Sequence, residues 1–123
     1  MNKIKSFTQL TTWQMGHTLV LEIYKITFKF PKQETYSLVD QMRRAVVSIT
    51  SNIAEGFSRR TSKEKVQFYY MALGSLTELQ NQILVAKDVG YINKESFKKL
   101  ASRTTEVSKL INGLIKSIKK YEK

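Results

Sequence analysis

Apolar residues recur along most of this chain at alternating spacings of three and four, the signature of one face of an α-helix. The pattern is densest from Ser37 to Tyr91, where it predicts two long helices joined by a short basic turn. In the first of these, Val39, Met42, Val46, Ile49 and Ile53 make the apolar face. Beside it runs a stripe of small or polar residues, Gln41, Ala45, Ser48, Asn52 and Glu55, which lets another helix approach closely. Gly56 is then expected in the left-handed conformation that ends a helix cheaply. Arg59 and Arg60 fill the turn, and Thr61 with Glu64 spells a capping box for the next helix.

That next helix carries two adjoining stripes. Phe68, Ala72, Ser75, Leu79, Gln82 and Ala86 form one, and Val66, Tyr69, Leu73, Leu76 and Ile83 the other, so it needs more than one packing partner. Gly74 sits in its middle, where glycine costs about 1 kcal/mol relative to alanine. With Ala72 and Ser75 beside it, the reading preferred over simple tolerance is close approach of another backbone.

The flanking segments supply two more helices. Residues 1–10 read as a short extension that Phe7 and Leu10 staple to the body, and Thr11 or Thr12 is placed to cap the first helix. Its inward face is Trp13, Gly16 or His17, Val20, Ile23 or Tyr24, and Thr27, and it must stop before Pro31. After Gly90 and Tyr91, Asn93 caps a last helix whose seam is Phe97, Leu100, Thr104, Val107, Ile111, Leu114, Ile118 and Tyr121. Three short connections between four helices predict an all-α, up-down-up-down (antiparallel) four-helix bundle. The expected layout is one domain over residues 1–123, with helices at about 12–29, 35–56, 62–89 and 94–120.

Charge changes the picture most. Lys and Arg number 21 against 10 Asp and Glu, a formal +11 over 123 residues. Such a surface attracts phosphate backbones without naming a base sequence. The absence of cysteine removes disulfides, thiol nucleophiles and cysteine metal sites, and suits a cytoplasmic location. No uninterrupted apolar run is long enough for a membrane span, and membrane binding ranks last.

Catalytic chemistry finds little purchase. His17 is the single histidine, and without a second one, a cysteine or a Glu-x-x-His pair the chain encodes no metal site of the ferritin kind. AEGFSRRTSK lacks phosphate-loop spacing. No cofactor and no enzymatic activity are expected. Glu55, one turn after Asn52, has no acid–base partner; the favoured role for both is hydrogen bonding to a turn, an arginine or a neighbouring subunit. Arg59, Arg60, Lys63 and Lys65 form the densest basic group and are the first candidates for phosphate contact. Arg43, Arg44, Lys116, Lys119 and Lys120 come next, although Arg44 can pair with Asp40. Tyr69 and Tyr70 follow the turn and could stack on bases, but Tyr69 fits the core better.

The run QMRRAVVSITSNIAEG, followed by RRTSKEKVQFYYMALGSLTELQNQILVAKDVGYI, resembles the family known as 23S rRNA intervening-sequence proteins. That family's recurring phrases are close to QLRRA-x-SIPSNIAEG and ALGSL-x-EL, corresponding here to Gln41–Gly56 and Ala72–Leu79. Phe7, Leu10 and Trp13, the Phe30-Pro31 stop and Gly90-Tyr91-Ile92 extend the likeness over nearly the whole chain, least specifically in the last helix. Thr50 stands where the family often has proline, which implies a straighter second helix. The resemblance implies a small bacterial bundle that assembles into a homo-oligomeric ring, commonly a pentamer, with RNA binding suspected and no biochemical role established. Given a ring, Gln41, Ala45, Ser48, Asn52, Glu55, Gly74 and Ser75 become candidates for subunit contact. The leading expectation is a non-enzymatic oligomer that binds RNA through its backbone. The alternative is an adaptor ring for an enzyme encoded nearby, such as a reverse transcriptase; a basic accessory protein of diversity-generating retroelements is similar in fold.

Overall fold

The computed structural model describes residues 3–120. They form four helices: α1 (Thr11–Thr27), α2 (Leu38–Ser58), α3 (Ser62–Asp88) and α4 (Lys94–Lys120), with 3-10 turns at Phe7–Gln9 and Lys32–Glu34. No strand occurs among the described residues. α1 packs on α2 and α4, and α3 packs on the same two; the pairs α1/α3 and α2/α4 do not meet. The helices therefore stand at the corners of a four-sided bundle in chain order. Side-chain contacts set their directions. Gly16 faces Thr50 and Ile53 while Thr27 meets Arg43, so α1 and α2 are antiparallel. Ser48 meets Ser75 while Gly56 meets Tyr69, and Gln80 meets Thr104 while Tyr70 meets Lys119, so α3 is antiparallel to both its neighbours.

The core is the set of apolar faces read from the sequence. Ile23, Met42, Val46, Ile49, Ile53, Leu79 and Ile111 are fully enclosed, each such side chain contributing about 1.5–3 kcal/mol. On α1 the residues turned inward are Gly16 and Ile23; His17 and Tyr24 are exposed. On α4 the seam drifts, because 3.6 residues per turn does not divide a heptad evenly. Ile115 is buried and Leu114 only half-buried, whereas the even spacing placed Leu114 inside. Tyr121, expected on that seam, lies outside the described residues.

Several boundaries differ from the expected ones. α1 ends at Thr27 rather than 29, because Lys29 and Phe30 donate to Ile26 and Thr27 in a tightened turn before Pro31. Neither Thr11 nor Thr12 caps it: Leu10 is the N-cap, and Gln14 Nε2 holds the Thr8 carbonyl instead. α2 starts at Leu38 rather than 35, since residues 32–37 are spent on turns. It also runs past 56 to Ser58, unbroken at Thr50. Gly56 is thus no left-handed cap; it is helical and buried. α3 stops at Asp88, one residue short of 89. Gly90 (φ 88°) supplies the left-handed position there, with Tyr91 N–H on the Ala86 carbonyl and Gly90 N–H on that of Lys87. That pairing is the Schellman motif.

Candidate nucleic-acid interface and self-association surface

The α2–α3 turn is built on contact between Gly56 and an aromatic pair. A Cβ at Gly56 would stand 2.6 Å from the Tyr69 ring, so only glycine lets the start of α3 lie this close to α2. Thr61 Oγ1 accepts from the Glu64 N–H at 3.1 Å. Glu64 answers through the Thr61 hydroxyl at 2.9 Å rather than through a backbone N–H, so the expected box is half-formed. Tyr69 is buried at the foot of this turn and burial raises its pKa; it belongs to the core.

The four cations of the turn separate into two kinds. Lys65 is turned inward, its ammonium donating to the Phe57 carbonyl at 2.7 Å, where it caps the negative end of α2. Burial lowers its pKa. Arg59 pairs with Glu55 at 2.9 Å and lies over the Phe68 ring, so that of the turn, arginine or neighbouring subunit offered as partners for Glu55, an arginine is present within the chain. Arg60 and Lys63 are exposed and contact no carboxylate among the described residues.

Lys119 Nζ donates to Tyr70 Oη at 3.0 Å and lies 5.3 Å from its ring centre. This contact brings the last turns of α4, with exposed Lys116 and Lys120, beside the beginning of α3. Arg59, Arg60, Lys63, Lys116, Lys119 and Lys120 therefore share one end of the bundle, with the half-exposed Tyr70 among them. Arg43 and Arg44 stand apart, toward the other end of α2. Arg43 donates to Thr27 Oγ1 (3.0 Å) and to the Tyr24 carbonyl (3.3 Å), closing the C-terminus of α1, and Arg44 pairs with Asp40 at 3.0 Å.

The small polar stripe of α2 runs along the outer edge of its contact with α3. Ser48 and Ser75 share a hydrogen bond of 2.8 Å, and Asn52 Nδ2 donates to the Ser48 carbonyl and hydroxyl. Ala45 is buried, while Gln41 and Glu55 are exposed. Gly74 faces away from the bundle, and no atom of the chain comes within 4 Å of a Cβ placed there. His17 lies exposed, stacked on Trp13 with ring centres 4.7 Å apart. Among the described residues no three His, Asp or Glu side chains gather as a metal site would require, and no helix is long and apolar enough to cross a membrane.

Sequence reasoning did not find a second class of surface residue, and it offered one member, Tyr24, as an inward alternative to Ile23. Leu21 and Tyr24 on α1 and Phe28 just past its end are exposed, as are Met71, Leu84 and Val85 on α3 and Val89 just past its end, with Phe28 at 84%. The spacing of three and four between Leu21, Tyr24 and Phe28 was legible, but apolar spacing alone does not tell an inward stripe from an outward one.

These features define a class: a strongly basic all-α bundle in which one group of exposed cations gathers around the α2–α3 turn. The chain belongs to the 23S rRNA-intervening sequence protein family, whose family model matches residues 8–113. Among solved structures it is similar to a protein of unknown function from the S23 ribosomal protein family of Bacteroides thetaiotaomicron. The two are 21% identical, the alignment covers 86% of this chain and 99% of that one, and the TM-score is 0.77. At that identity the likeness speaks for the fold. A comparison with curated proteins gave no match.

Proposed function

We propose that this protein is a non-enzymatic, self-associating cytoplasmic bundle that holds RNA through phosphate contacts at the α2–α3 end. The observation that carries this reading is the Lys119–Tyr70 contact, which joins two basic groups distant in sequence into one cluster. A formal +11 per chain strengthens it, since each added copy multiplies weak phosphate attraction at high local concentration. Tyr70 offers a ring on which an unpaired base can stack. The family's name associates its members with 23S rRNA, and the charge fits that association without base-specific readout.

The test is fluorescence anisotropy with a single-stranded RNA and a duplex RNA across a salt series. Affinity should fall steeply with salt, and the slope should shrink by about 1 for each phosphate contact removed in Arg60→Ala, Lys63→Ala or Lys120→Ala. Lack of binding at low salt, or slopes unchanged in all three variants, overturns the RNA reading and leaves a protein partner as the better one.

A further inference from the structure

α4 carries 8 of the 21 cations of the chain and 2 of its 10 acids, so more than half of the formal +11 comes from one helix of 27 residues. It packs on α1 and α3 but not on α2, and its buried side is Leu100, Thr104, Val107, Ile111 and Ile115. Its cations divide between the flanks and the outward side. On the flanks, Lys99 and Arg103 meet Glu22 of α1 at 3.8 Å and 2.8 Å, and Lys119 meets Tyr70 of α3. Lys94, Lys98, Lys109, Lys116 and Lys120 are exposed and contact no carboxylate among the described residues.

These five lysines form a row. Lys98, Lys109 and Lys120 each stand eleven residues from the next, and eleven residues of α-helix return to within about 20° of the starting direction. Lys94 and Lys116 lie one turn before Lys98 and Lys120. From Lys98 to Lys120 the row is about 33 Å long. Between the lysines the crest is low. The Thr105 hydroxyl and the Asn112 amide fold back on the carbonyls of Ala101 and Ser108, at 3.1 Å and 3.0 Å. Gly113, exposed between Lys109 and Lys116, has no atom of its own chain within 4 Å of a Cβ placed there. A glycine inside a helix costs about 1 kcal/mol relative to alanine, and nothing within the bundle offsets that cost.

We infer that this row is a track for the phosphates of double-stranded RNA, which lies along α4 from the α2–α3 end of the bundle toward the far end. The inference rests on the RNA binding proposed above and names the form of RNA. Lysine meets a phosphate as a point charge, without regard to base. A rigid helix holds its lysines at set intervals, and a duplex holds its phosphates at set positions, so neither has to be ordered on contact. A single strand would have to be straightened over about 33 Å, at a cost in conformational entropy. Stacking of bases on rings offsets that cost elsewhere, but the residues between these lysines on the crest, Ser102, Thr105, Asn112 and Gly113, are small and carry no ring. They leave the sugar–phosphate backbone room to descend between the ammonium groups, which accounts for Gly113.

The test is fluorescence anisotropy across a salt series, on a duplex RNA of about 16 base pairs and on one of its strands alone. The proteins are the wild type, Lys98→Ala, Lys109→Ala, Gly113→Glu and Lys32→Ala, with circular dichroism to check that the helices persist. Lys98→Ala and Lys109→Ala should each lower the salt slope for the duplex by about 1 and leave that for the single strand in place. Gly113→Glu sets a carboxylate between Lys109 and Lys116. It should melt above the wild type, because glutamate is the better helix former and gains lysine neighbours one turn away, yet bind the duplex more weakly. Lys32→Ala removes the same unit charge from the exposed turn before α2 and should leave both slopes unchanged. Duplex slopes unmoved by Lys98→Ala and Lys109→Ala, equal losses for duplex and single strand, or an equal loss with Lys32→Ala each overturns the track on α4, while RNA binding at the α2–α3 end stands on Arg60→Ala and Lys63→Ala. A wild type that binds neither RNA at low salt overturns that reading, and the track with it.

Discussion

Gly56 and Tyr69 are in contact so close that a single methyl group would collide with the ring: a Cβ at position 56 would lie 2.6 Å and 2.9 Å from two ring carbons. The ring is 3% exposed and has nowhere to swing. Gly56→Ala gains helix propensity of up to about 1 kcal/mol, but overpacking costs about 1–3 kcal/mol. We expect a net loss of stability and a lowered urea midpoint. Gly113→Ala, which meets nothing within 4 Å in an exposed stretch of α4, is the control and should gain about 0.5–1 kcal/mol.

Gly74 separates folding from assembly. Close approach of another backbone, the reading preferred from the sequence, would make Gly74→Leu damage one or the other. Open space around that position removes the steric reason for misfolding within the chain. Gly74→Leu should therefore melt at or above the wild-type temperature yet show a smaller mass in sedimentation; a full-size oligomer would count against close packing between copies there.

Arg43 and Arg60 should behave oppositely. Arg43 satisfies carbonyl and hydroxyl groups at the end of α1, part of them buried. Arg43→Ala should lower stability by about 1–2 kcal/mol in chemical denaturation and leave the salt dependence of RNA binding nearly unchanged. Arg60→Ala should leave the denaturation curve in place and reduce the salt slope. Equal effects of the two on RNA binding would contradict this division.

Tyr91 and Glu34 tie the start of the α3–α4 connection to the turn before α2. The Tyr91 hydroxyl donates to Glu34 Oε2 at 2.7 Å, and that bond, with the Leu38 N–H, holds the Glu34 carboxyl below the usual glutamate range. The same bond raises the Tyr91 pKa. A depressed folded-state pKa means that the contact stabilises above the ordinary glutamate value and is lost as pH falls through the lowered one. Tyr91→Phe should move the Glu34 titration, followed by carboxyl carbon NMR, back toward its ordinary value and flatten the acid limb of the stability curve. An unmoved titration would show that the hydroxyl is not the cause.

The four helices and most of the core were legible because burying a helix face requires an apolar stripe, and Val39, Met42, Val46, Ile49 and Ile53 spell one out. The Gly90 stop and the Asn93 cap, which accepts from Ser96 N–H at 2.7 Å, were legible too, since both are local backbone chemistry. Gly56 was misread for the matching reason. A glycine near a helix end signals a cap when only the local chain is considered, and its true constraint, the Tyr69 ring, comes from thirteen residues further along the chain.

The sequence by itself thus determined what each residue's own helix decides: element type, the Gly90 stop, the Asn93 cap, the Val39–Ile53 stripe and net charge. Tertiary structure alone decided which cations stay free. Lys65 and Arg43 read as surface charge but reach carbonyls at the ends of α2 and α1, whereas Lys119, far from the α2–α3 turn in sequence, arrives beside it at Tyr70. The reason is physical: a helix fixes its neighbours three and four residues away, but a long cationic side chain finds its partner only after the bundle has brought the helix ends together.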